Sequence, residues 1–152
     1  RWFPMLRLTL NARPLELRLE ALAARLSDLK GLLERITPLA ARAIERNFDA
    51  EGRPHPWPPL APATLRRKPP GLKILELTGR LRRSIRTRVE GRALVLSTHV
   101  PYAAAHQFGL PQRRLPPRPF LVLTRADQEE VARVLAESLE STVHGSRITS
   151  HD

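Results

Sequence analysis

Residues 102–109, YAAAHQFG, bring two aromatic rings, an imidazole and an amide together within one short stretch. Side chains of these types occur in catalytic sites, in metal sites and in protein interfaces. Nucleophilic hydrolysis would need an activated serine, and no serine of this chain stands in a G-x-S-x-G turn. Hydrolysis by two carboxylates would need a convergent pair, and the centre of the chain offers only Glu76 and Glu90, which are distant in sequence. The pattern disfavours a hydrolase and predicts no catalytic residue.

The histidines and the absence of cysteine argue against a metal or cofactor site. The five histidines include no H-x-x-x-H or H-x-H pair, and the chain has no cysteine for zinc, iron–sulfur or disulfide chemistry. No glycine-rich loop is present that could hold a phosphate-bearing cofactor. A lone histidine such as His106 is more typical of a hydrogen-bonded structural role. We predict no metal and no cofactor.

Positive charge is concentrated in the middle of the chain. The 152 residues carry a formal net charge of +11, and residues 53–118 hold 14 of the 26 basic side chains but only 2 of the 15 acidic ones. The runs LRRSIRTR and PQRRLPPRP would attract phosphates, yet neither contains an aromatic ring for base stacking. Two interpretations stay open. The basic block contacts a nucleic acid or another polyanion, or it meets the mildly acidic C-terminal end of a neighbouring copy.

The N-terminal third is predicted to be helical. Leucine or isoleucine recurs at alternating steps of four and three over residues 15–36, which is typical of a helix with one apolar face. This stripe is a core face or a short intermolecular coiled coil. Thr37 and Pro38 then fit the N-cap and first position of a second helix that ends near Phe48. We predict an N-terminal helical segment over residues 1–48.

Residues 49–73 are predicted to be a proline-rich loop. They contain seven of the 15 prolines, which remove backbone donors and fix φ, so regular structure there is short. PATLRRK at 62–68 fits one helical turn or a short helix. Trp57 is the one large side chain of the loop, and we expect it to pin the loop to the core because a buried indole contributes much apolar area.

The centre of the chain is predicted to contain an antiparallel hairpin. Polar and apolar residues alternate over 84–89, Glu90 and Gly91 fit a turn, and an apolar return strand follows until about Thr98. This hairpin lies at the centre of a small antiparallel sheet, within an α+β core that spans residues 74–141.

A C-terminal helix is predicted to complete the core. FLVLT at 120–124 is a short strand or a buried segment. Thr124 and Asp127 then fit a capping box, and acidic residues in the first helical turn suit the helix dipole. Residues 142–152 are predicted to be a flexible tail. The predicted fold class is α+β in one domain, with N-terminal helices, a small antiparallel sheet with a central hairpin, and a C-terminal helix packed on the sheet.

Several short motifs follow one another in a fairly specific order. W-x-P-L at 57–60, ILELTGRLRRSI at 74–85, YAAAHQFG at 102–109 and RPFLVLT at 118–124 make up the set. In order and spacing this set resembles the phage virion morphogenesis family, the tail completion proteins of Mu-like and P2-like contractile-tailed phages. The resemblance covers about residues 38–141.

The resemblance implies a structural virion protein and not an enzyme. Such proteins complete the tail at the head–tail junction, as part of the neck or connector, and are expected to form a ring around the DNA channel, with sixfold symmetry. The implied partners are copies of the chain itself, other neck, tail and connector proteins, and genomic DNA through non-specific contact. The implied location is the virion, after assembly in the host bacterial cytoplasm, with no cofactor and no membrane involved.

The resemblance also gives YAAAHQFG a role in contact between subunits, where aromatic anchors with polar edges are favoured. The residues expected at a subunit interface are Tyr102, His106, Phe108, Gly109, Arg118 and Phe120. The basic residues expected to face DNA or partner proteins are Arg82, Arg83, Arg86, Arg88, Arg113 and Arg114. Two alternatives stay open. Tyr102 and Phe108 only close the protomer's own core, or the chain is a basic nucleic-acid-binding protein that acts outside a ring.

Overall fold

The computed structural model describes residues 6–9 and 29–145 of the chain. In chain order its elements are β1 (Leu6–Thr9), α1 (Leu29–Asp49), α2 (Pro62–Arg67), α3 (Arg80–Ser84), β2 (Arg86–Glu90), β3 (Ala93–Thr98), α4 (Ala103–Phe108), a one-turn 3-10 helix (Pro111–Arg113) and α5 (Arg125–Gly145). Helices and an antiparallel sheet share one hydrophobic core, so the predicted α+β class is confirmed. None of the helices in the described ranges combines the length and hydrophobicity needed to span a bilayer.

Helix α1 runs without interruption through Pro38, so the predicted boundary between two helices at Thr37 and Pro38 is wrong. Thr37 does not cap a new helix, because its hydroxyl donates to the Leu33 carbonyl one turn earlier, at 2.9 Å. A proline inside a helix costs about 3 kcal/mol or more, but one apolar face continues across it into the core. That face comprises Leu32, Ile36, Leu39, Ala40, Ala43, Ile44 and Phe48. The earlier part of the predicted leucine stripe lies outside the described residues.

The sheet has three antiparallel strands in the order β1-β3-β2. Strand β1 pairs with β3 and places Leu6 opposite Thr98. It corrects the prediction that residues 1–48 are helical; its four residues are too short a pattern to identify without the partner strand. The predicted central hairpin is confirmed. Its last pair is Glu90 with Ala93, so the turn lies one residue later than predicted.

Helix α1 packs against both the sheet and α5 and brings them into one core. Leu96 of β3 and Leu135 of α5 belong to the same cluster of buried apolar side chains, so the C-terminal helix joins the core of the sheet, as predicted. The predicted capping box is also present. The Thr124 N–H donates to Asp127 Oδ2 at 2.9 Å, and the Asp127 N–H donates to Thr124 Oγ1 at 3.3 Å. Helix α5 then continues to Gly145, past the predicted end of the core.

Trp57 pins the proline-rich loop to the core, as predicted. Its side chain is buried, and its ring meets the Phe48 ring edge to face with the centroids 5.7 Å apart. Its indole Nε1–H donates to the Pro119 carbonyl at 2.9 Å. The loop that precedes α2 and the extended segment that precedes α5 are therefore held together by one side chain.

Candidate subunit interface

Helix α4 holds most of YAAAHQFG and has one buried and one exposed side. Ala103 and Gln107 lie four residues apart, which places them on the same face of the helix, and both are buried. Tyr102 and Phe108 lie on the surface, with 41% and 67% of their area exposed. These exposures rule out the alternative that the two rings only close the protomer's own core.

Gln107 holds the segment at 120–124 from the inner side of α4. Its Oε1 accepts the N–H groups of Phe120 and Leu121, both at 3.0 Å. From the other side, the buried Asn47 amide of α1 donates to the carbonyls of Phe120 and Val122 at 2.9 and 2.8 Å. Of the two predictions for FLVLT, the buried segment is confirmed: the segment pairs with no strand in the described ranges, and two side-chain amides satisfy its backbone instead.

His106 lies half-buried between Tyr102 and Arg118. The Tyr102 and His106 rings meet edge to face with centroids 5.7 Å apart, and the His106 carbonyl accepts the Arg118 N–H at 2.6 Å. The buried Nδ1 atom has no hydrogen-bond partner within the described residues. Burial lowers the pKa of His106, and the positive charge of Arg118 lowers it further. Both effects favour the neutral form of the imidazole that lies beside the exposed Tyr102.

Arg118 and Phe120 hold the protomer together, which corrects their predicted place in a subunit interface. Arg118 is only 3% exposed and donates from Nε to the Pro58 carbonyl and from Nη2 to the Pro59 carbonyl, both at 2.9 Å. Burial lowers the pKa of this guanidinium. Phe120 is fully buried, with its ring centroid 5.8 Å from that of Phe48. Neither side chain offers surface to a neighbouring subunit.

Gly109 ends α4 and lets the following loop fold back onto the helix. Its φ is +78°, in the region that favours glycine. A Cβ atom built on Gly109 would lie 2.9 Å from the Pro117 nitrogen and 3.0 Å from the Leu115 carbonyl oxygen. Gly109 therefore has a structural role within the protomer. Of the six residues predicted at a subunit interface, the candidates that remain are the exposed Tyr102 and Phe108 and the adjacent His106.

Arg82 forms ion pairs within the protomer, so its charge is already matched there, and its predicted role as a DNA- or partner-facing cation stays a prediction. It bonds three carboxylates: Glu45 at 2.6 Å, Glu76 at 2.5 Å and Asp49 at 2.8 Å. Its guanidinium also lies 5.7 Å from the centre of the Phe48 ring. Burial opposes the charged form, but the hydrogen bonds to the three carboxylates outweigh it and raise the pKa of Arg82.

The other predicted basic residues remain near the surface. Arg88 is paired with Glu90. The remaining four form no ion pair with any residue in the described ranges, although two of them donate to nearby backbone carbonyls. These four are Arg83, Arg86, Arg113 and Arg114. They are the members of the predicted basic set whose charge has no counter-ion among residues 6–9 and 29–145.

An ion cluster lies at the start of α5, and the sequence indicated only one member of it, Asp127. Asp127 is 3% exposed and accepts from Arg53 at 2.9 and 3.0 Å and from Arg46 at 2.7 Å. Burial would raise the pKa of this carboxyl, but the Arg53 and Thr124 hydrogen bonds and the Arg53 charge lower it overall. The capping-box pattern predicted a role for Asp127, but no local pattern in the sequence predicted its pairing with Arg46 and Arg53. Within residues 6–9 and 29–145, no three histidine or acidic side chains are grouped to hold a metal ion.

Comparisons with known proteins point in the same direction as the motifs. The model of the phage virion morphogenesis family matches residues 10–140. The chain is 32% identical over 126 residues to the Mu-like prophage FluMu G protein 2 of Haemophilus influenzae, which covers 80% of this chain and 86% of that protein. No solved structure matches the chain.

Proposed function

This chain belongs to the phage virion morphogenesis family, and on that premise we propose that it is a tail-completion protein that assembles as a ring at the head–tail junction. Membership gives it a role in phage virion assembly, as a structural component that acts with other virion proteins. The ring, its sixfold symmetry around the DNA channel, and its place in the neck are the proposal.

The proposal of a ring-shaped oligomer rests mainly on two exposed aromatic side chains at α4, Tyr102 and Phe108. Tyr102 and Phe108 are two of the large apolar side chains that the protomer leaves on its surface. Aromatic residues are enriched at the buried centre of interfaces, where they act as anchors. In a closed ring each subunit uses two different patches, so an anchor on one protomer meets a different surface on the next.

The construction of α4 supports this role. Its inner face is fixed, since Gln107 bonds the segment at 120–124 and Ala103 is fully buried. Ala104 and Ala105 are half-buried and small, so another backbone can approach closely. A helix held rigidly from behind loses little conformational entropy when its outer face is covered by a neighbour.

A second candidate function rests on the unmatched arginines. Arg83, Arg86, Arg113 and Arg114 can contact phosphates, either of DNA inside the ring or of nucleic acid bound by a free protomer. The two cases differ in assembly state. A monomer that binds duplex DNA with a steep dependence on salt would favour the nucleic-acid-binding protein.

The test is the assembly state of the purified protein, measured by light scattering after size exclusion and by electron microscopy. We expect the wild type to form closed rings. Tyr102→Ala and Phe108→Ala should each shift the protein toward monomers and leave its helix content unchanged, because both side chains are exposed in the protomer. The matched control is Leu77→Ala, since Leu77 is also exposed, at 64%, but lies outside α4. A monomeric wild type refutes the ring, and normal assembly of both α4 variants refutes the anchor.

A further inference from the structure

Residues 61–73, the arm, form an exposed segment on the surface of the protomer. All of them are exposed except Lys68 and Lys73, which are partly covered. Helix α2, which forms the first half of the arm, buries none of its six residues. At Gly71 a Cβ atom would meet nothing within 4 Å. The arm therefore gains little from packing on its own protomer, and a helix this short is marginal without packing.

Both ends of the arm are nevertheless fixed. Before it, Arg118 holds the carbonyls of Pro58 and Pro59. After it, the Ile74 N–H donates to Glu51 Oε1 at 2.5 Å, and Lys73 Nζ donates to the Asp49 carbonyl at 2.8 Å. Across its base, the Lys68 ammonium donates to the Lys73 carbonyl. Fixed ends leave the arm fewer conformations than a free chain of the same length would have, which lowers the entropic cost of binding.

The arm presents apolar and basic side chains together. Leu65 and Leu72 are 56% and 39% exposed. Arg66 and Arg67 follow Leu65 directly and are exposed, and neither forms an ion pair in the part of the chain that the structure describes. The arm contains no acidic residue. A single exposed leucine is ordinary, but exposed leucines beside arginines without a described ion pair, on a segment fixed at both ends, form a surface suited to another protein.

We propose that the arm docks on an acidic, partly apolar surface of a different virion protein, which joins the ring to the next component of the particle. This inference rests on the proposed function. Arginine guanidinium groups pair carboxylates in bidentate geometry and are favoured at interfaces. The leucines then add apolar burial at the same contact.

Charge pairing within the protomer argues against a second copy as the partner. Of the eleven acidic residues in the described ranges, nine are already paired with the protomer's own lysines and arginines. The other two are Glu51, which accepts the Ile74 N–H, and Glu140. The described surface of another copy therefore offers few carboxylates that are not already paired, so it matches the arm less well than an acidic partner would. DNA fits less well than protein, because its phosphate backbone would cover the arginines and leave the two leucines in water.

The test uses tails made by the same phage with this gene disrupted, to which purified protein is added and sedimented at low and at high salt. We compare wild type with the double variants Leu65→Ser/Leu72→Ser and Arg66→Glu/Arg67→Glu. Leu77→Ser and Arg92→Glu are matched controls, since both side chains are exposed and lie outside the arm. We expect the arm variants to assemble like the wild type but to bind tails at least tenfold more weakly. High salt should weaken wild-type binding, because exposed charges are screened.

Several results would overturn the inference. If the wild type binds tails and the arm variants bind them equally tightly, the inference about the arm is overturned and the proposed function is not. Arm variants that lose self-assembly show that a second copy covers the arm. If Arg66→Glu/Arg67→Glu abolishes binding to duplex DNA but leaves tail binding unchanged, DNA is the partner. A wild type that binds no tails overturns the proposed function and this inference with it.

Discussion

Replacing Gln107 with methionine removes the acceptor that holds the segment at 120–124. Methionine has nearly the same length, so the buried face of α4 keeps its packing, but its thioether accepts hydrogen bonds only weakly. The N–H groups of Phe120 and Leu121, now 3.0 Å from Gln107 Oε1, are then left in a buried site without an acceptor. The Gln107 amide is also the donor of a long contact, 3.5 Å, to the Leu121 carbonyl, which is lost as well.

The expected loss of unfolding free energy follows from the two backbone N–H groups that lose their acceptor. A buried donor without an acceptor costs about 1–3 kcal/mol, so we expect Gln107→Met to lower the free energy of unfolding by about 2–6 kcal/mol. A domain is stable by only about 5–15 kcal/mol, so this is a large share of the total. For a domain of this length each kcal/mol moves Tm by about 2–4 °C, which gives a fall of roughly 4–24 °C.

Urea and thermal unfolding, followed by circular dichroism at one fixed protein concentration, measure this loss. Hydrogen exchange at the amides of Phe120 and Leu121 gives a local readout, and we expect it to accelerate selectively in the variant. Gln112→Met is the matched control, because Gln112 is exposed in the one-turn helix that follows α4. A Gln107→Met protein within about 0.5 kcal/mol of the wild type would refute the assignment of Gln107 as a structural clamp, since that is the range of a neutral surface change.

Two further predictions concern backbone shape and acid stability. Gly109→Ala should destabilise the protein by at least about 1 kcal/mol more than Gly91→Ala. Both glycines have positive φ, but of the two only Gly109 lies where a new methyl group would collide with backbone. Equal losses of stability in urea unfolding would contradict this prediction. Asp127→Asn should lower the free energy of unfolding at neutral pH by roughly 1–3 kcal/mol. Because the folded pKa of Asp127 lies below its unfolded value of about 3.9, the unfolded state takes up the proton first as pH falls. The stabilisation by the ionised Asp127 carboxylate is therefore present above about pH 4 and is lost below it. If the stability of Asp127→Asn falls as steeply in acid as that of the wild type, Asp127 is not the group responsible.

The sequence predicted those parts of the fold whose signals are local. The signals for the β2–β3 hairpin and for the capping box of Thr124 with Asp127 are residue types a few positions apart, and the signal for the buried Trp57 is one large side chain. The prediction at Pro38 failed because the local preference of proline for the start of a helix competes with a continuous apolar face, and packing of that face prevails.

The candidate site was predicted only in outline. The residue types at 102–109 indicated a functional segment. Only the position of each residue on the folded helix shows that Gln107 is buried and Phe108 is exposed. Arg118 and Phe120 could not be assigned to the core, because their contacts with Pro58 and Phe48 join residues about sixty or seventy positions apart. No local pattern carries information about contacts of that range.

The three carboxylates around Arg82 limit how this protein can evolve. Glu45 and Asp49 come from α1 and Glu76 from the loop before α3, and one planar guanidinium reaches all of them. A lysine at this position carries the same charge but lacks the fork that spans several acceptors. Replacement of Arg82 by an uncharged residue therefore leaves neighbouring negative charges to repel one another, and a lysine would pair fewer of them. Homologues that lack the arginine should have lost some of these acids as well, so the four positions are expected to change together and not one at a time.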